Sequence, residues 1–225
     1  MILAIDTATR TASIALYSST GVLAEESWRS QNNHCVELMP AITRLVERQG
    51  CTMRDLSGIA ISLGPGSFTG LRIGMSVAKG LCLALEIPII GVPSLQVAAY
   101  AAGDPGCAIL AVDEAGRGRI CVGRYAYENG LPALHGEIEL QRSADWTPDL
   151  SEYVLVTGEV DAALADHLSG LLGSENLSIV SLAGSLRRAG FLGELAWERL
   201  QAGETDDLDT LEPVYVQHPL SGRAD

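Results

Sequence analysis

Eight residues near the start of the chain, Leu3-Ala-Ile-Asp-Thr-Ala-Thr-Arg10, recur without a gap as Leu110-Ala-Val-Asp-Glu-Ala-Gly-Arg117, with five of the eight positions identical. A repeat at that separation in a chain of 225 residues calls for two units built on one plan. In each copy an apolar strand ends at an aspartate, Asp6 or Asp113, and a second strand returns after a short turn, Ala12–Tyr17 in the first and Arg119–Tyr125 in the second. A third strand is expected after Gly21 and again after the Asn129-Gly130 turn signal. Each half opens as a three-stranded meander, and the predicted class is α/β with an N-terminal lobe over residues 1–105 and a C-terminal lobe over 106–225.

Helices follow each meander. Val36, Leu38, Met39, Ile42, Leu45 and Val46 keep the i, i+3, i+4, i+7 spacing of an amphipathic helix from about Cys35 to Arg48, with Pro40 in its first turns. A second helix is expected over Ser67–Leu85, then a short strand at Ile89-Ile90 and a helix over 94–102. The second half continues with a strand over 153–157, a helix over 160–172, a strand over 178–181 and a helix over 186–201. The acidic run 204–209 reads as a loop, and Leu211–Val216 as a tail folding back on the body.

The balance of 15 basic and 28 acidic residues gives a net charge of −13, which argues against a chain that holds nucleic acid by itself. A partner would have to supply the positive charge, and no basic stripe is visible. Five cysteines without a C-x-x-C spacing read as reduced thiols. The N-terminus reaches Asp6 too soon for a signal peptide, and the most apolar stretch, Ile73–Val92, is interrupted by Lys79, Glu86 and Pro88, so a cytoplasmic protein with no membrane contact is expected.

Chemistry concentrates at two places. Gly64-Pro-Gly-Ser-Phe-Thr-Gly-Leu-Arg-Ile-Gly74 runs from a strand into a helix, a turn that presents backbone N–H groups either to an anion or to close-packed protein. It lacks the Gly-Lys-Ser/Thr of a P-loop. Farther along, Gly70, Gly74 and Ala78 form a row of small residues that admits a close neighbour, either the chain's own fold or a second protein. The other place is Asp6 with Thr7 and Thr9, which resembles the first phosphate loop of actin-like ATPases and sugar kinases, except that Ala8 stands where glycine is usual. Its Cβ hinders the approach of a phosphate, so Asp6, Thr7 and Thr9 are only weak cofactor-binding candidates. His34, His135, His167 and His218 are too scattered for a metal pair, and no G-x-S-x-G elbow supports a serine nucleophile. No catalytic or metal residue is predicted.

Met1–Thr9, His34-x-x-x-Leu38-x-Pro40, Gly64–Gly74 and Glu212-Pro-Val-Tyr215 together resemble the TsaB (YeaZ) family of tRNA threonylcarbamoyladenosine biosynthesis proteins, over nearly the whole chain. The resemblance implies an actin/hexokinase-like (ASKHA) fold of two duplicated RNase H-like lobes. It also implies a non-catalytic activator of TsaD, joined by TsaE with ATP, that supports threonylcarbamoyl transfer from its adenylate to A37 of tRNAs reading codons that start with A. On this view tRNA is met only indirectly, and a homodimer is open to the chain when TsaD is absent. No intrinsic cofactor is implied, and ATP or ADP would be met at the TsaD boundary. Carried over by position, the partner interface would use Cys35, Leu38, Met39 and Ile42 on the first helix and Gly70, Arg72, Gly74 and Ala78 on the second. Gly74→Arg is then expected to fold but not to pair. The chain departs from the family pattern at Asp113–Arg117 and at Gln217. Two other readings carry distinct expectations: a small-molecule kinase or ATPase of the same fold would turn over ATP, and a glycoprotease-like peptidase would cleave protein.

Overall fold

The structure is a computed structural model that describes residues 1–30 and 33–216. The chain divides into two units: residues 1–97 with 187–214, and residues 98–186 with Tyr215 and Val216. In the first, β1 (Ile2–Asp6), β2 (Thr11–Ser18), β3 (Gly21–Arg29), β4 (Gly58–Ser62) and β5 (Ile89–Val92) lie in the order β3-β2-β1-β4-β5. The three meander strands are antiparallel, whereas β4 and β5 join parallel to β1. In the second, β6 (Ala108–Gly116), β7 (Arg119–Glu128), β8 (Leu131–Leu134), β9 (Glu139–Arg142), β10 (Val154–Gly158) and β11 (Leu177–Ile179) give the order β8-β7-β6-β10-β11. That is the first sheet's plan again, so the repeat read from eight residues extends to both sheets. The addition is β9, which pairs with β7 beyond the end of β8 and was not foreseen from the sequence.

β1 is buried along its whole length, as a central strand covered on both faces must be. Leu3 and Ile5 point into a core with Leu38, Ile42 and Leu45 of helix α1 (His34–Arg48) and with Met75, Ala78 and Cys82 of helix α2 (Phe68–Leu85). Ala4 points the other way, as strand alternation requires. There it meets Gly193 of helix α5 (Ala189–Gln201), where any Cβ would press on Tyr17 and touch Ala4. A short helix α3 (Ser94–Ala101) follows β5, and α4 (Ala162–Ser169) covers the second sheet's core of Val112, Val122, Val154, Val156, Leu164 and Leu168.

The division drawn from the sequence at residues 105/106 therefore differs from the structure, because residues 187–214 return to the first unit. The cause is the second face of the first sheet, which needs apolar cover that the N-terminal residues do not supply. Polar contacts fix α5 there: the Ala189 N–H donates to Ser13 Oγ at 2.8 Å and the Gly190 N–H to Glu25 Oε1 at 2.7 Å. The tail does fold back, since Leu208 and Leu211 pack on the core and the Val214 N–H donates to the Leu63 carbonyl at 2.8 Å. The acidic run is also tied down. Asp206 accepts from the Gly91 N–H at 2.7 Å and pairs with Arg199 at 3.2 Å.

Candidate functional site

The glycine string and the Asp6 loop meet. Ser67 caps α2 by accepting from the Gly70 N–H, and its own N–H donates to the Ala8 carbonyl at 2.6 Å. A Cβ at Gly66 would overlap the Ala8 carbonyl oxygen, one at Gly70 the Thr7 carbonyl oxygen, and one at Gly74 the Thr7 hydroxyl. The glycines thus admit the chain's own phosphate-type loop. Thr7 Oγ1 donates to the Gly70 carbonyl at 2.8 Å, and Thr9 Oγ1 donates to the Thr11 carbonyl at 3.1 Å while accepting from the Thr11 N–H.

Asp6 is wholly buried, and burying a carboxylate demands compensation. Oδ1 accepts from the Ala8 N–H at 2.9 Å, and Oδ2 accepts from Arg187 Nε at 3.0 Å. Arg187 was not identified from sequence: a buried aspartate implies a cation, but nothing local selects one 181 residues away. Asp6, Thr7 and Thr9 are 0, 1 and 4% exposed with their polar atoms engaged. The carboxylate and both hydroxyls of this loop are thus spent on hydrogen bonds within the chain. Among the described residues no group of three His, Cys, Asp or Glu side chains stands together as a metal site.

The predicted partner residues divide by exposure. Cys35, Met39 and Arg72 are on the surface, whereas Leu38, Ile42 and Ala78 are essentially inaccessible and Gly70 and Gly74 are buried. The small row therefore faces the chain's own β1 and β4, not solvent. Gly74 sits under Thr7 and Ile61, so the expectation that Gly74→Arg folds is corrected: an arginine there would have to enter the core. Sequence could not set this phase, because α2 is apolar nearly all round; by length and composition alone it would even pass as a membrane span.

What α2 presents outward is the stripe Arg72, Ser76, Gly80 and Leu83, with Phe68 at its start. Gly80 has nothing within 4 Å of where a Cβ would stand. Beside it, α1 presents Val36, Met39 and Thr43. Val36, Phe68 and Leu83 are 66, 54 and 67% exposed, large apolar side chains on the surface of two adjoining helices. Arg72 stacks on the Phe68 ring at 3.8 Å, holding both at the rim. At the start of α1, Trp28 Nε1 donates to Glu37 Oε2 at 2.9 Å; this bond, with one from Ser30, holds the Glu37 carboxyl below its ordinary value.

Fold and site together define a two-sheet α/β protein whose Asp6 loop is packed closely on the glycines of α2 and whose first two helices carry exposed apolar side chains. The family model for TsaD, tRNA N6-adenosine threonylcarbamoyltransferase, matches residues 4–137. A Bacillus subtilis protein, tRNA threonylcarbamoyladenosine biosynthesis protein TsaB, is 34% identical across 96% of this chain and 93% of its own length. The Escherichia coli protein of that name is 37% identical across 98% of this chain and 96% of its own. A solved Pseudomonas aeruginosa structure, described as an uncharacterized protein with similarity to peptidase YeaZ, superposes with a TM-score of 0.80 at 25% identity, over 96% of this chain and 99% of that one. The chain belongs to the TsaB family, within the wider group that the TsaD family model describes. The departure at Asp113–Arg117 lies in the β6–β7 hairpin; Gln217 and His218 lie outside the described residues.

Proposed function

We propose that this chain serves tRNA threonylcarbamoyladenosine biosynthesis as a non-catalytic partner of TsaD, docking through the outward faces of α1 and α2. The observation that carries the reading is the contrast within one unit: the side chains of the loop that would do phosphate chemistry are engaged within the chain, while Val36, Met39 and Leu83 are exposed. A relative of the catalytic subunit that keeps the fold but fills its own loop is suited to bind and stabilise, not to react. It would act by preferring the TsaD conformation that binds substrate.

The match of the TsaD model to residues 4–137 supports the choice of partner, because two chains built alike can pair the same helices about an approximate twofold axis. On this reading the fold is of the actin/hexokinase-like type, and the twofold repeat of the sheet order supports it. The setting is cytoplasmic, TsaE and ATP join at the assembled complex, nucleotide is met at the TsaD boundary, and a homodimer uses the same face when TsaD is lacking.

The test is reconstitution with TsaD and TsaE from the same organism, reading threonylcarbamoyl transfer to tRNA and complex formation by size-exclusion chromatography. Met39→Glu and Leu83→Glu change exposed positions only, so folding should persist while pairing and transfer both fall at least tenfold. An unaltered complex with both variants would remove the interface. Sustained ATP turnover by the chain alone, co-purifying with it through successive columns, would return the kinase or ATPase reading.

A further inference from the structure

Against a net charge of −13, one corner of the second unit is basic. The β6–β7 hairpin turns through Gly116, Arg117 and Gly118 at φ +70°, +56° and +68°. Arg117 and Gly118 form its two-residue connection, for which asparagine and glycine are the favoured occupants. β9 then sets Arg142 directly opposite Arg119 of β7, and the Ser143 N–H donates to the Gly118 carbonyl at 2.9 Å, closing the corner. The three arginines, with Gly118, Ala144 and Asp145, line a hollow of about 550 Å³. Among the described residues no carboxylate, Asp145 included, comes within ion-pair distance of Arg117, Arg119 or Arg142. Arg119 Nε is buried without a hydrogen-bond partner.

Each of these facts is unfavourable taken alone. Like charges directly opposed across two strands repel, a buried charged donor without an acceptor forfeits its hydration, and a side chain in the left-handed region is strained. An anion with several oxygens relieves the first two, because guanidinium forks grip it with paired hydrogen bonds. Solvated surface arginines would instead be expected to splay apart toward neighbouring carboxylates.

We propose that Arg117, Arg119 and Arg142 form a binding site for a phosphoryl oxyanion. The site is separate from the α1/α2 face and does not depend on the function proposed above; only the identification of the phosphate as an RNA backbone phosphate rests on that reading. Three arginines in an acidic chain make a local contact, and RNA affinity of the chain by itself stays weak.

The arginine Nε–Hε signals of the full-length protein in ¹⁵N-labelled NMR spectra test this, with Arg119→Gln/Arg142→Gln and Arg117→Asn as variants. The probes are inorganic phosphate, a short single-stranded oligoribonucleotide, and chloride at matched ionic strength. The Arg119 signal should move saturably with phosphate or RNA and not with chloride. Arg117→Asn, which suits the turn, should weaken binding about threefold or more, and the double variant should abolish it. Because that variant removes a repulsion, its thermal midpoint without ligand should equal or exceed that of the parent. For RNA, the log–log slope of affinity against salt should fall by about 1 for each arginine removed. Saturation by RNA and not by phosphate identifies a backbone site, and saturation by phosphate alone identifies a small-anion site. No saturable shift with either probe, an equal response to chloride, or unchanged binding in the double variant overturns the proposal.

Discussion

Arg187 Nε stands 3.0 Å from Asp6 Oδ2, joining the C-terminal end of the first strand to the entrance of the last helix across 181 residues. Both side chains are almost completely buried, at 4% and 0% exposure. The carboxylate that resembles a phosphate-loop aspartate is thus spent on holding residues 187–214 against the first sheet.

That pairing sets the first prediction. Asp6→Ala leaves a buried guanidinium without its counter-ion and should lower stability by about 3–5 kcal/mol, whereas Asp6→Ala with Arg187→Met should recover much of the loss. Urea denaturation monitored by circular dichroism reads both. Equal stability of the single and double variants would mean that the pair is not the element holding α5.

Two glycines on one helix give a second test. Gly74→Ala places a Cβ on the Thr7 hydroxyl and should cost about 1–3 kcal/mol, and Gly74→Arg should yield little folded protein. Gly80→Ala meets open space and should stabilise by about 0.5–1 kcal/mol, through helix propensity alone. Reversal of that order would place the small row outward, as the sequence by itself allowed.

The thiols form a graded series. Burial pushes Cys82 up to about 11 and Cys121 up to about 12, so at pH 8 their thiolate fractions are about a thousandth or less. Cys35 is exposed on the proposed docking face. Mass spectrometry after brief alkylation of the native protein should find Cys35 modified and Cys82 and Cys121 intact, with TsaD protecting Cys35. Modification of Cys35 at the same rate in the complex would contradict its place in the interface.

A fourth prediction concerns acid. The Trp28 bond favours the ionised Glu37, so its contribution is present above the ordinary value of 4.5 and is lost as pH falls through the lower folded-state value. The Trp28 indole N–H resonance should titrate below 4.5, and Trp28→Phe should return the Glu37 midpoint toward 4.5. A midpoint at or above that value in the parent protein would show that the bond does not form.

The sequence by itself determined the repeated meander, because strand alternation and turn residues are local signals and the Leu3–Arg10 repeat is directly visible. It also determined the amphipathic α1, and the resemblance of the Gly64–Gly74 string to one family. The tertiary structure decided where those elements face. An α2 apolar on nearly every side carries no phase, so only packing against Thr7 and Ile61 turned Gly70, Gly74 and Ala78 inward and left Gly80 and Leu83 outside. Long-range partners were equally unreadable. The return of residues 187–214 to the first sheet, the choice of Arg187 for Asp6, and the meeting of Arg119 with Arg142 all join residues that are distant in sequence. Such pairs are selected by burial and register, which belong to the folded chain and not to any stretch of it.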